Sequence, residues 1–291
     1  MNTTNQLTIN RKTPAYWRVT FHNSPINMVD PDTVYELLEL IDQIESDPEL
    51  KVVVFDSADP DFFISHYDMT RAGEKQKTPK DIDLPPLMDF TTRLSRSSVV
   101  SIVEIRGRIR GVGSEFALAC DMRFASLEKA IFGQPELAVG VVPGGGAIEQ
   151  LSRLSGRARA LEIILGAGDY DALTAERYGW INRAITDVEL EGFVENLALR
   201  ISVLDRQVLS DAKRLINRNG LPETSELQES RSTFILGAMS PGTQEKVSKA
   251  IALGFGRQGE FELNLGQRLL GLSIQEDAGQ ETKDNISFIS K

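Results

Sequence analysis

The chain has 291 residues, 41% of them hydrophobic and 25% charged, with a net charge of −10. That is enough apolar material for a sizeable core, in one large domain or a main domain with an appendage. The acidic balance argues against gripping a nucleic-acid backbone, which needs clustered Lys and Arg; a single cysteine, Cys120, excludes an intrachain disulfide and fits a reducing compartment.

His22 and His66 stand far apart and announce no metal cluster. The polar start, MNTTNQLTINRK, lacks the apolar core of a signal peptide, and no apolar run is long enough to span a bilayer. The expectation is a cytoplasmic protein with no membrane and no nucleic-acid partner.

Residues 1–13 are polar and read as loose. Tyr16–His22 reads as a strand that ends in the turn residues Asn23, Ser24 and Pro25. Asp30 and Pro31 then read as an N-cap with proline at the first helical position. Val34, Leu37, Leu38, Ile41 and Ile44 follow at helical spacing and predict a helix over 31–46. Lys51–Ser57 is an apolar run of the kind found in strands covered on both faces, so strand, helix and strand point to parallel pairing.

Residues 72–84 read as an exposed loop, Leu87–Leu94 as a short helix and Ser98–Ile105 as a strand. A glycine turn at Gly107–Gly113 precedes a short helix, Glu115–Cys120, and a strand, Asp121–Ala125. A second glycine turn, Pro143–Gly146, opens a helix over 147–154. Helices follow at Arg157–Leu165, Thr174–Tyr178, Leu190–Val203 and Val208–Asn217. Strand signals stop near residue 205, which divides the chain into a core, 1–205, and a helical region, 206–291, whose tail from Gln275 is polar and expected to fray.

Gly111-Val112-Gly113 does not make a dinucleotide fingerprint, because Phe116 stands where the third glycine belongs. Pro143–Gly146 lacks the Gly-Lys-Ser/Thr of a phosphate loop. Two acids draw attention instead. Glu115 follows the first glycine turn, and Glu136 follows Gly133-Gln134-Pro135. Each alone has an ordinary structural reading, as a first-turn helix acid or a surface carboxylate. Together, beside glycine-rich backbone, they suggest acid/base chemistry next to N–H groups that stabilise an oxyanion. Arg106, Arg108 and Arg110 alternate around the first turn, either as a solvated edge or as a phosphate contact.

Phe63–Asp68 (FISHYD), Gly111–Asp121 (GVGSEFALACD), Phe132–Glu136 (FGQPE), Val142–Gly146 (VPGGG) and Ala172–Asn182 (ALTAERYGWIN) together resemble the enoyl-CoA hydratase/isomerase family, or crotonase superfamily, over residues 14–218. The resemblance implies an α/β fold, a ββα superhelix (a spiral of such turns). Its helical C-terminal region trims the active site and the subunit interface of a homotrimer or dimer of trimers. It implies an acyl-CoA substrate, with coenzyme A entering as part of the substrate and no separate cofactor or metal.

The thioester carbonyl would be held by the backbone N–H groups of Tyr67 and Val112, with Glu115 and Glu136 as acid and base. Ser65, His66, Asp68, Gly111, Gly113, Pro143 and Gly144 would line the substrate. Retention of both glutamates favours hydration of a 2-enoyl thioester. Double-bond isomerisation or thioester hydrolysis, with His66 taking part, is the alternative. A non-catalytic, RNA- or protein-binding member of the fold is a third reading, against which the net charge and both glutamates count.

The chain departs from the family in two places. The oxyanion loop, commonly Ala-Gly-Ala-Asp, is Ser65-His66-Tyr67-Asp68, which adds bulk and a titratable ring beside the carbonyl site. The lysine often found after that aspartate is absent, and Met69, Thr70 and Arg71 stand there.

Overall fold

The computed structural model describes residues 5–78 and 84–272. Helix α1 (Pro31–Ser46) begins where Asp30 predicts: the Asp30 carboxylate accepts the N–H groups of Asp32 and Thr33, both at 2.9 Å. Strand β1 (Leu7–Thr13) corrects the expectation of a loose N-terminus. It pairs antiparallel with β2 (Tyr16–Phe21), Leu7 opposite Phe21. Its start is fastened by the Glu36 carboxylate of α1, which accepts the N–H groups of Gln6 and Leu7. Leu7 is buried while Thr8, Asn10, Arg11 and Lys12 face solvent, so this edge strand looks polar in sequence.

From β2 onward the chain winds in a repeated pattern. Each turn gives one strand to a larger sheet, one to a smaller sheet, and then a helix. The first turn is β3 (Val52–Ser57), β4 (Phe62–Ile64) and α2 (Pro86–Arg96); the second is β5 (Val100–Ile105), β6 (Arg108–Arg110) and α3 (Val112–Ala119). The third is β7 (Met122–Ser126), β8 (Ile131–Gly133), a 3-10 turn at Pro135–Val139 and α4 (Ala147–Leu154). The larger sheet runs β1-β2-β3-β5-β7-β10, with β10 at Arg183–Ile185, and the smaller runs β4-β6-β8-β9, with β9 at Asp169–Asp171. In the smaller sheet β4, β6 and β8 are mutually parallel. This is the ββα spiral that the sequence motifs imply.

The apolar run of β3 is explained by cover on both faces. Val53 and Phe55 enter the core between the sheets, while Val52 and Val54 pack under α7 (Asp187–Ser202), against Leu190, Val194, Ala198 and Ile201. Phe116 of α3 centres the inner core. Its ring meets Phe21 at 5.3 Å and Phe55 at 5.1 Å, both edge to face, and stacks on Phe90 of α2 at 5.9 Å. Edge-to-face pairs contribute about 0.5–1.5 kcal/mol each beyond their buried area, so the residue beside Glu115 anchors α3.

Helices α5 (Arg157–Gly166) and α6 (Ala172–Tyr178) flank β9. Beyond residue 205 the described backbone carries α8 (Arg206–Asn217), α9 (Thr224–Ala238), α10 (Pro241–Leu253) and α11 (Glu260–Leu263), then helical residues 265–272. Ala250, Leu265 and Leu269 bury against Ala138 of the 3-10 turn, so these helices fix the segment that carries Glu136. The expected fraying after Gln275 and part of the 72–84 loop lie outside the described residues.

Candidate active site

Three loops leave the carboxyl ends of the parallel strands β4, β6 and β8, the usual place for a ligand site in an open α/β sheet. They carry Ser65–Asp68, Gly111–Glu115 and Gln134–Glu136 respectively.

After β4 the chain forms a parallel bridge between Tyr67 and Val29. Val29 N–H donates to His66 O at 2.9 Å and Asp68 N–H to Val29 O at 2.8 Å, so Tyr67 turns its own N–H the other way. Val112 is the first residue of α3, where an N–H has no intrahelical acceptor. Neither the Tyr67 nor the Val112 N–H has an acceptor among the described residues.

Two glycines let the loops that carry these groups approach closely. Gly111 has φ +50, a conformation that side chains resist, and this starts α3 at Val112 rather than at the expected Glu115. Gly113 lies so close to β4 that a Cβ there would stand 2.6 Å from Ile64 O.

Glu115 is 8% exposed and its Oε1 accepts Gly145 N–H at 2.6 Å and Ala147 N–H at 3.5 Å. The second glycine turn is therefore a cradle for this carboxylate. Burial pushes the Glu115 carboxyl up, against the pull of those two N–H groups. Glu136 lies against Gly111, its Oε1 3.2 Å from where a Cβ would be. Its carboxyl is pushed up to about 8, first by burial and then by the negative charge of Glu115. Two carboxyls so coupled titrate as a pair. The Gly145 and Ala147 N–H groups on Glu115 favour its ionised form, and each carboxyl's charge opposes ionisation of the other. A cavity of about 20 Å³, the space of about one water, abuts Glu115 beside Thr92 and Gly145.

Gln134 was missed by sequence reasoning although it stands inside the FGQPE motif. It is fully buried, and its Nε2 donates to both Glu136 oxygens at 3.2 Å.

The histidine is not a free ring. His66 is 5% exposed and stacks on Phe255 at 4.1 Å. Its Nδ1 meets Tyr67 O at 2.8 Å, a carbonyl that only accepts, so Nδ1 carries a proton. Its Nε2 meets Glu262 Oε1 at 2.8 Å, and the same oxygen accepts Gly256 N–H at 2.6 Å. The ring therefore ties the loop after β4 to α11.

Ser65 is fully buried, and the Asp68 carboxylate caps the following turn by accepting Thr70 N–H at 2.9 Å. Gly144 is covered by Phe234 of α9 and Pro143 is buried beside it. The three arginines of the first turn are each tied to acceptors of the protein rather than forming a solvated edge. Arg106 pairs with Glu104 and Asp187, fully buried Arg110 with Asp169, and Arg108 donates to Leu263 O. Arg71 is held by Asp30, Asp32 and Glu74. The Cys120 thiol is buried, and burial pushes it up, away from the thiolate a nucleophile needs.

The profile of the enoyl-CoA hydratase/isomerase family matches residues 13–233. The chain belongs to the enoyl-CoA hydratase/isomerase family. It is 30% identical over 194 residues to a protein of Clostridium acetobutylicum named short-chain-enoyl-CoA hydratase, covering 66% of this chain and 74% of that one. It is 28% identical over 230 residues to the Mycobacterium leprae protein named probable enoyl-CoA hydratase echA8, covering 77% and 88%. Among solved structures, a Streptomyces avermitilis protein assigned to the enoyl-CoA hydratases superposes with a TM-score of 0.85 at 40% identity, over 92% of this chain and 98% of that one.

This member of the family is thus an enzyme of the hydratase/isomerase kind. Among the described residues no helix is long and apolar enough to cross a membrane, and no three His, Cys, Asp or Glu side chains gather to hold a metal ion.

Proposed function

We propose that the protein adds water across the 2,3 double bond of an enoyl thioester of coenzyme A. The observation that carries this reading is the pair of held carboxyls, Glu115 on the Gly145 N–H at 2.6 Å and Glu136 on the Gln134 amide at 3.2 Å, in loops that also carry two backbone N–H groups with no acceptor of their own.

In this scheme the thioester oxygen accepts the N–H groups of Tyr67 and Val112, which draws electron density away from C3. A water held by Glu115 adds its oxygen to C3 and gives its proton to the Glu115 carboxylate. The π electrons pass to the thioester oxygen as an enolate, stabilised by the same two N–H groups. Glu136 delivers its proton to C2, and proton exchange with solvent resets the pair. Gln134 holds the Glu136 carboxyl toward C2 through its amide. Ser65, His66, Asp68, Gly111, Gly113, Pro143 and Gly144 shape this cleft through backbone placement more than through free side chains.

His66 does not favour a hydrolase or isomerase in which its ring takes part, because both ring nitrogens are engaged. Exposed Leu215, Ile216, Leu236, Met239 and Leu253 on the C-terminal helices support self-association, which we assign as a homotrimer or dimer of trimers.

The test is the loss of conjugated enoyl-thioester absorbance across a panel of enoyl-CoAs, with NMR of the product to separate a 3-hydroxyacyl thioester from a shifted double bond. Wild-type turnover that falls by about 10²–10⁴-fold in Glu115→Gln and in Glu136→Gln is expected. Full activity in both variants overturns the reading.

A further inference from the structure

Helix α9 lays one face across the glycine turn that cradles Glu115. Leu227 Cδ2 lies 3.3 Å from the place of a Cβ on Gly146, and Phe234 Cβ lies 2.5 Å from that of Gly144. Ser230 Oγ donates to Glu149 Oε1, and Arg153 Nη2 pairs with Glu226 at 2.6 Å. Arg231 stands on this same face, among these contacts. Its guanidinium lies 5.0 Å from the centroid of the Phe234 ring, which keeps it oriented. Through Phe234, which covers Gly144, it stands beside the glycine turn that holds Glu115, and its charge favours the ionised Glu115 carboxylate.

Yet among the described residues no carboxylate pairs with Arg231, no acceptor takes a hydrogen bond from it, and its Nε is buried without a partner. Arg206 also has a buried, unpartnered Nε, but its Nη2 reaches Asp47 O and Ser98 Oγ. A buried guanidinium Nε–H without an acceptor is costly, and the open Nη groups are left to meet solvent or a ligand.

We propose that Arg231 receives a carboxylate carried by the acyl chain of the substrate, so that the enzyme selects enoyl thioesters of dicarboxylic acids. This deepens the hydratase reading and takes its chemistry from it. A guanidinium presents paired N–H groups that match a carboxylate edge-on, whereas a neutral hydroxyl or carbonyl would leave its charge uncompensated. The phosphates of coenzyme A are the other anions of such a substrate. They lie at the far end of the pantetheine arm from the thioester, whereas Arg231 stands beside the glycine turn that holds Glu115.

The experiment is calorimetric binding of three ligands, glutaryl-CoA, pentanoyl-CoA and free coenzyme A, to wild type, Arg231→Gln and Arg231→Lys, each checked by thermal melting. Glutaryl-CoA should bind wild type at least about tenfold more tightly than pentanoyl-CoA, the gain of one charge-assisted contact. Arg231→Gln should abolish that preference, and Arg231→Lys should keep part of it.

A wild type that binds the two acyl ligands alike overturns the proposal. So does Arg231→Gln if it weakens all three ligands equally, because the cation then serves the coenzyme's phosphates. A lowered melting point with an unchanged preference also overturns it, because Arg231 then only offsets Glu115 and Glu149. Turnover of pent-2-enedioyl-CoA and pent-2-enoyl-CoA, followed in parallel, separates the two readings. If wild type hydrates neither but binds glutaryl-CoA preferentially, the hydratase reading fails while the carboxylate site stands.

Discussion

Replacing Gly145 by alanine should disable the enzyme while leaving it folded. The Gly145 N–H donates to Glu115 Oε1 at 2.6 Å, and a Cβ added there would lie 2.3 Å from Glu115 Oε2 and 2.7 Å from its Cδ. The backbone at Gly145 is not left-handed, so alanine adopts it without strain, and the atoms it meets are the tip of a flexible side chain. The carboxylate must therefore retreat by about 1 Å to reach ordinary contact.

A shift of that size in a group that positions the attacking water costs on the order of 100-fold in rate. The fold should survive with a loss of at most about 2–3 kcal/mol. Weakening one charged hydrogen bond costs up to about 1.5–3 kcal/mol, and the stiffer unfolded chain returns about 0.4–1 kcal/mol. Steady-state kinetics on the best enoyl-CoA, beside thermal melting, should show kcat down about 100-fold with KM within about threefold. A Gly145→Ala protein that melts like wild type and turns over at the wild-type rate would refute the assignment of Glu115 to the water.

Gly113→Ala should do the opposite. Its Cβ would meet Ile64 O at 2.6 Å and Ile64 Cβ at 2.7 Å, strand atoms that cannot step aside, so a cost of about 1–3 kcal/mol is expected in a denaturant titration, and an unchanged midpoint contradicts the packing described. The pH behaviour follows from Glu136, whose proton is held up to about 8 by burial and by Glu115. Because the folded protein binds this proton more tightly than the unfolded chain, stability falls as pH rises from the ordinary carboxyl range through about 8. Glu136→Gln should flatten that slope in melting curves, and wild-type kcat/KM should fall above pH about 8 as the acid is lost. Cutting the link to the C-terminal region by Glu262→Ala leaves His66 and the Gly256 N–H without their acceptor. Faster limited proteolysis after residue 254 is expected, and an unaltered digestion pattern would count against the link.

Much of the spiral could be read from the chain because its long elements carry local signals. Asp30 and Pro31 fix the start of α1, and the run Lys51–Ser57 shows a strand with two covered faces. The strands of the smaller sheet could not be read in that way. β4, β6 and β8 are three residues each, too short for any period to show, and pairing alone makes them strands. β1 hides because its exposed face is polar.

In the site, Glu115 and Glu136 stand in motifs whose glycines betray the close approach. Gln134 stood in the same motif and was overlooked. Arg231 and Glu262 lie on helices whose sequence gives no hint of what they face, and they come beside the site's loops only through tertiary packing. His66 looked like a reagent because its neighbours in sequence are polar, whereas its neighbours in space are Phe255 and Glu262.

The partner that fastens His66 is 196 positions further along the chain. At synthesis rates of about 5–20 residues per second, Glu262 is made roughly 10–40 s after the loop it holds. During that interval a nascent chain can pair its sheets and bury Phe116, but the peptide that presents the Tyr67 N–H is tethered only from residues 27–32, through Asn27, the Val29 bridge and the Arg71 pairs with Asp30 and Asp32. The spiral is built early on the ribosome, and the pocket that would grip a thioester is completed only as the last helices arrive.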